Sequence, residues 1–150
     1  MTASAGNNTG TGRGKSVPEI LGLAFGAVYL LVGIVGFFVT GFDNFAGNAQ
    51  HEALLGIFMI NPLHNIVHIL IGVAGLALSR TLAGARSFGW LLAVGYGAAF
   101  IYGLIAIGQS WDFLNINTAD NVLHLLSALV GLVIALLPVR SAVPYRGSRV

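Results

Sequence analysis

The residues best suited to chemistry belong to one polar pattern that the sequence contains twice. The pattern has the form Asn-x3-Asn-x2-His-x6-Gly-Leu, and its copies begin at Asn61 and, 56 positions later, at Asn117. Each copy stands where a long apolar stretch begins. A duplicated polar set at the mouths of two hydrophobic helices predicts either a two-part site or a two-part structural clamp.

Two kinds of bound group would suit these residues. The candidate residues are Asn61, His64, Asn65, His68, Asn117, Asp120, Asn121 and His124. Zinc, iron or copper would take three imidazoles and one carboxylate, and the candidate metal ligands are His64, His68, Asp120 and His124. Asn65 and Asn121 would then hydrogen-bond the ligands. Alternatively, His68 and His124 supply the axial ligands of a b-type haem, with neighbouring glycines leaving room for its macrocycle.

The same residues also suit a structural clamp that needs no cofactor. In this alternative, His68 hydrogen-bonds Asn121 across the bundle, and His124 hydrogen-bonds Asn65. Interhelical bonds of this kind contribute about 0.6–2 kcal/mol each in membrane proteins. The clamp would make the protein structural or partner-binding, which is the leading functional prediction, and haem or transition-metal binding is the alternative.

The composition indicates that these residues belong to an integral membrane protein. Of the 150 residues, 56% are hydrophobic and 8% are charged, and the mean hydropathy is +0.85, far from the averages of soluble domains. Four apolar stretches cover 17–40, 62–79, 87–109 and 118–139. At about 1.5 Å per residue they are about 27–36 Å long, enough for a hydrocarbon core of about 30 Å. We predict an all-α, four-span bundle over 17–139, with a disordered tail over 1–16 and a basic tail over 140–150.

The seven basic residues predict the orientation of the helices. They lie before the first stretch, between the second and third, and after the fourth, whereas the connections 41–61 and 110–117 contain none. By the positive-inside rule, both termini are cytoplasmic and the chain is two tandem helical hairpins in the plasma membrane. Because topology accounts for the basic residues, no nucleic-acid partner is expected.

Helical spacing predicts that the polar pattern faces the interior of the bundle. Asn61, Asn65 and His68 follow one another at spacings of four and three, which lie on one face of a helix. Polar groups are costly against lipid, so this face and its counterpart on the fourth helix should point inward. His68 and His124 then lie about 10 Å below their helix starts, nearer the outer membrane face. The preceding segment, Ala53–Ile60, is predicted to form a short interfacial helix.

Two segments of the sequence resemble a known bacterial membrane family. They are Asn61-Pro-Leu-His64-Asn65-Ile-Val-His68-x3-Gly72 and Ala119-Asp120-Asn121-Val-Leu-His124. Both are similar to the signature stretches of the family catalogued as domain of unknown function 4383, which is common in actinobacteria. The resemblance covers about Pro18 to Leu137 and implies a four-helix protein of the plasma membrane. It implies no activity and no catalytic residue.

The remaining sequence features favour binding or packing over catalysis. The sequence has no Ser-His-Asp, P-loop or dinucleotide motif, so no enzymatic activity is expected. Tyr29, Tyr96 and Tyr102 could line the cavity of a carrier, although aromatic residues at helical spacing more often pack. Small residues on the first helix favour close contact with another helix, so the expected partners are the bilayer and either a second copy or another membrane protein.

Overall fold

A computed structural model describes residues 14–49 and 52–139, which form four helices. They are α1 (Val17–Thr40), α2 (Pro62–Leu78), α3 (Leu82–Ala106) and α4 (Thr118–Leu136). The all-α, four-helix prediction is confirmed, and α1, α3 and α4 are long and apolar enough to cross a membrane. α2 is apolar but has 17 residues, a length of about 26 Å. The predicted tails lie outside the described residues, apart from Gly14–Ser16.

Asparagine caps fix the starts of α2 and α4. The Asn61 side chain accepts a hydrogen bond from the backbone N–H of His64 at 2.8 Å, and Pro62 occupies the first turn. Asn117 accepts from the N–H of Asp120 at 2.9 Å, and the Asp120 carboxylate accepts from the N–H of Asn117 at 3.1 Å. These bonds satisfy amide groups that a helix start leaves without partners.

The third helix is displaced from its predicted position toward the N-terminus. It covers Leu82–Ala106 instead of 87–109. Its start is set by Thr81, whose hydroxyl accepts from the N–H of Gly84 at 3.1 Å. After its end, Gly108 has a φ of +78°, a conformation that ends a helix and that glycine adopts readily.

Glycines set the contacts within each of two antiparallel helix pairs. A Cβ added to Gly26 would meet the backbone of Gly75, and one added to Gly22 would meet Ser79, so α2 lies along α1 over its whole length. In the second pair, a Cβ on Gly89 would meet the backbone of Ala135. α1 packs mainly on α2, and α3 mainly on α4.

The connection between α1 and α2 contains a β-hairpin where a short helix was predicted. Strands β1 (Ala53–Leu54) and β2 (Phe58–Met59) pair antiparallel. Between them, Leu55 and Gly56 have φ values of +58° and +71°, which reverse the chain. The predicted interfacial helix over Ala53–Ile60 is therefore wrong, because a short apolar run has no periodicity that separates a helix from a strand.

The shared core lies where the two helix pairs meet. Its buried members are Tyr29, Phe88, Leu92, Tyr96, Ala128 and Ile134. The outward faces of the helices carry exposed apolar side chains such as Leu31 and Val94. This core supports one face of the histidine cluster described next.

Candidate functional site

Three histidines from two helices converge in the interior of the bundle. His64 and His68 come from α2 and His124 from α4, and one nitrogen of each lies within 4.8 Å of the others. The ring centroids of His64 are 4.6 Å from His68 and 5.9 Å from His124. All three side chains are buried, with exposed fractions of 2%, 7% and 4%. The structure thus brings together three of the four candidate metal ligands.

Each histidine of this cluster has an unsatisfied nitrogen. The Nδ1 atoms of His64, His68 and His124 are buried and have no hydrogen-bond partner among the described residues. Buried polar atoms in folded proteins nearly always have a partner, and neutral imidazole nitrogens are good ligands for transition metals. The three histidines therefore combine buried, unpartnered nitrogens with a geometry in which one nitrogen of each ring lies close to the others.

Tyr29 and Tyr96 stack against each other and form one wall of the cluster. Their ring centroids are 5.0 Å apart, and each ring lies 5.5 Å from a histidine, Tyr29 from His68 and Tyr96 from His124. The Tyr29 hydroxyl is hydrogen-bonded to Ser127 Oγ. Ser127 is not part of the repeated pattern and was not predicted to contribute to the site. The tyrosines therefore hold both histidine-bearing helices at a fixed distance.

A cavity of about 120 Å³ adjoins the histidines. The cavity is lined by residues of α2, α3 and α4 and by one residue of the connection between α3 and α4. They are His64, Val67, His68, Ile71, Gly95, Tyr96, Ala99, Leu114 and His124. Pockets for organic ligands usually measure about 300–1,000 Å³, so a haem does not fit beside these rings. A single metal ion with one small further ligand does fit.

Asp120 does not belong to the cluster, although it was expected among the metal ligands. Among the described residues, the group of mutually close ligand atoms contains the three histidines and no carboxylate. The Asp120 carboxylate instead caps the start of α4 through the N–H of Asn117. A carboxylate in the first turn also complements the helix dipole. At these equivalent positions of the two copies, His64 belongs to the histidine cluster, whereas Asp120 caps a helix.

Asn65 and Asn121 make different contacts from those predicted. The Asn65 amide donates to Thr40 Oγ1 at 3.0 Å. The Oδ1 atoms of Asn65 and Asn121 have no hydrogen-bond partner among the described residues, and they face Gly36 and Gly103 on the adjoining helices. The structure therefore replaces the expected bonds to His68 and His124 with contacts inside each helix pair.

Asn61 and Asn117 join the connection between α1 and α2 to the connection between α3 and α4. The Asn61 amide donates to the carbonyls of Gly47 at 3.0 Å and Phe113 at 2.9 Å. The Asn117 amide donates to the carbonyl of Ile57, in the hairpin, at 2.7 Å. Each cap residue therefore also bonds a segment distant in the chain, and together they hold the loops over the cluster.

Asp112 fixes the backbone of the connection between α3 and α4 where this connection contacts the cavity. It is 1% exposed, and its carboxylate accepts from the N–H groups of Leu114 at 3.1 Å and Ile116 at 2.8 Å, and from the Tyr102 hydroxyl at 3.1 Å. These bonds place the Leu114 side chain against the cavity. In the sequence, Asp112 was recognisable only as an acid in an outer loop.

Comparison with known proteins identifies the family of the chain. A family model described as Domain of unknown function (DUF4383) matches residues 19–137. The chain belongs to this family. The matched residues include all four helices except the first two residues of α1, and therefore all three clustered histidines. Neither a search of curated proteins nor a search of solved structures gives a match.

Proposed function

We propose that this DUF4383 protein is a four-span protein of the plasma membrane that binds a transition-metal ion through His64, His68 and His124. The observation that carries the proposal is the convergence of three buried imidazoles, each with an unpartnered Nδ1, beside a small cavity. A tetrahedral ion with metal–nitrogen distances of about 2.0–2.1 Å holds its ligands about 3.4 Å apart, so side-chain movements of up to about 1.5 Å would complete the site.

The membrane part of the proposal rests on the helices and the distribution of charge. α2 is shorter than its neighbours, but its contacts with α1 from Gly22 to Gly36 support a fourth crossing. Four crossings place both termini on one side, and the basic residues favour the cytoplasm. Equivalent contacts, Asn65 on Gly36 and Asn121 on Gly103, support an internal repeat of two hairpins. The bilayer is then the immediate partner, and a homo-oligomer or another membrane protein could pack on the exposed helix faces.

Metal titration in mild detergent tests the site. We expect metal-stripped protein to bind one Co²⁺ or Zn²⁺ per chain, with Co²⁺ giving visible absorption bands of a low-coordinate site. His68→Ala and His124→Ala should each weaken binding at least ~100-fold, because loss of a direct ligand exceeds the 10–100-fold effect of losing a residue that supports one.

Asp120→Ala is the matched control for this experiment. It should retain the metal stoichiometry and lose about 1 kcal/mol of stability, because Asp120 caps α4 and is not a ligand. A folded wild-type protein that binds no ion under these conditions would rule out the metal site.

A structural role is the second candidate function, and the loop contacts of Asn61 and Asn117 favour it. In that case the histidines fill the interior, and the protein acts through its packing or its partners. His68→Ala would then lower the thermal stability of metal-free protein, and the wild type would bind no metal. The titration and a melting curve on the same samples separate the two functions.

A further inference from the structure

The cavity beside the histidines has an outer side that faces away from the bundle. The histidines and Tyr96 line its inner side and are buried, whereas Val67 on α2 and Gly95 on α3 line its outer side and are exposed. The cavity therefore opens sideways, between these two helices.

The opening exists because α2 and α3 belong to different helix pairs. Each packs mainly on its own partner, and the seam between them is less closely packed. Gly95 keeps this seam open, since a Cβ added there would meet no atom within 4 Å. A large side chain at position 95 would have room to extend over the opening.

The position of Gly95 along α3 determines whether the opening faces lipid or water. Gly95 lies 13 residues after Leu82 and 11 before Ala106, the ends of α3, or about 20 Å and 17 Å along the helix axis. In a membrane-spanning helix this is the middle of the hydrocarbon core. Toward the outer water phase, the cavity is covered by Leu114, which the Asp112 carboxylate network holds in place.

We infer that a small, uncharged, lipid-soluble molecule enters from the bilayer between α2 and α3 and binds beside the histidines. Away from the histidines, the lining by Val67, Ile71 and Ala99 favours an uncharged ligand, because an unpaired charge is costly in apolar surroundings. A volume of about 120 Å³ limits the ligand to a few heavy atoms, since a cavity of about 150 Å³ accepts benzene or xenon.

This inference rests on the membrane insertion proposed above but does not require the metal. If an ion is bound by three histidines, its open coordination position would be the place where such a ligand attaches. Without an ion, the cavity and its opening remain. The test therefore uses metal-free protein, so that failure of the metal proposal and failure of this one give different results.

Xenon is the probe for occupancy. Metal-free full-length protein in lipid nanodiscs, with labelled methyl groups, is followed by NMR under increasing xenon pressure. We expect the methyl signals of Val67, Ile71 and Ala99 to shift and saturate, whereas that of Val28, on the exposed face of α1, changes linearly as xenon dissolves in the lipid. Absence of a saturating shift in the folded wild type would overturn the inference.

Two glycine substitutions make a matched pair for this experiment. Gly95→Leu should weaken xenon binding at least tenfold, whereas Gly97→Leu should leave it unchanged, because a Cβ at Gly97 also meets no atom within 4 Å but Gly97 does not line the cavity. Melting curves verify that both variants fold. If Gly95→Leu fails to fold, Gly95→Val provides a smaller obstruction. Unchanged xenon binding in a folded Gly95 variant would refute the proposed opening.

The direction of the opening can be tested because the chain contains no cysteine. In liposomes, Gly95→Cys should react at least ten times more slowly with a charged thiosulfonate than Leu55→Cys, because residue 55 is 81% exposed in the hairpin, whereas a thiol in the hydrocarbon core does not ionise to the reactive thiolate. Equal reaction of both cysteines with the charged reagent would show an opening to water and contradict entry from the bilayer.

Discussion

Asn61 and Asn117 have the same role in the two halves of the chain, whereas the residues three positions after them do not. The backbone N–H of His64 donates to the Asn61 side chain, and the His64 ring lies beside the other two histidines. The backbone N–H of Asp120 donates to the Asn117 side chain, and the Asp120 carboxylate accepts from the backbone N–H of Asn117. The sequence showed that positions 64 and 120 differ, but only the side-chain directions show that His64 joins the histidine cluster and that Asp120 caps α4.

Asn61→Ala should lower the free energy of unfolding by about 1–3 kcal/mol. The substitution removes the cap of α2 and the two bonds to Gly47 and Phe113, and it leaves buried amide and carbonyl groups without partners. Thermal unfolding in detergent measures the effect. Asn48→Ala is the control, because the bond that the Asn48 amide donates to the Gln109 carbonyl is exposed. Equal losses of stability in both variants would contradict the bridging role of Asn61.

At the scale of helices and strands, the sequence predicted what depends on periodicity and caps. The starts of α2 and α4 follow from Asn61-Pro62 and Asn117-Thr118, and the inward faces follow from the spacing of the polar residues, which the structure buries. The hairpin at Ala53–Met59 depends on two positive φ values that the local pattern does not reveal. The early start of α3 depends on Thr81 as a cap, and the polar Arg86 and Ser87 near this start hide it from an assignment based on apolar residues.

Gly36→Ala and Gly103→Ala should each lower the stability of their helix pair by about 1–3 kcal/mol. An added Cβ would overlap the side-chain amide of Asn65 in one pair and of Asn121 in the other, so this buried amide or the close-packed helices would have to shift. Gly97→Ala is the control, since its Cβ would meet no atom within 4 Å and alanine favours the helix. Melting temperatures in detergent measure the effect. Equal melting temperatures for Gly36→Ala and Gly97→Ala would show that the contact between Gly36 and Asn65 does not contribute to stability.

At the scale of the whole molecule, the site depends on how the helix pairs lie against each other. The sequence placed His68 and His124 at one depth, but the separation of α2 from α3, which creates the cavity, comes from contacts made by the shared core of Tyr29, Leu92 and Tyr96. The position of Leu114 over the cavity comes from Asp112, which is not part of the repeated pattern. Neither spacing nor composition encodes such distances between elements, so the cavity could not be predicted.

The number of crossings can be determined from the positions of the termini. If α2 spans the membrane with the other three helices, a reporter fused after Val150 lies on the same side as one fused before Met1. If α2 stays within one leaflet, three crossings put the termini on opposite sides. We expect a fluorescent protein that folds only in the cytoplasm to be bright at both ends and alkaline phosphatase, which needs the periplasm, to be inactive at both.

A cysteine in the outer hairpin provides the complementary measurement. Leu55→Cys should react with a membrane-impermeant thiol reagent in intact cells, because the hairpin precedes α2 and would lie outside. An active phosphatase at the C-terminus, combined with a bright reporter at the N-terminus, would establish three crossings. The histidine cavity would then not lie within a four-span bundle, because α2 carries two of its three imidazoles.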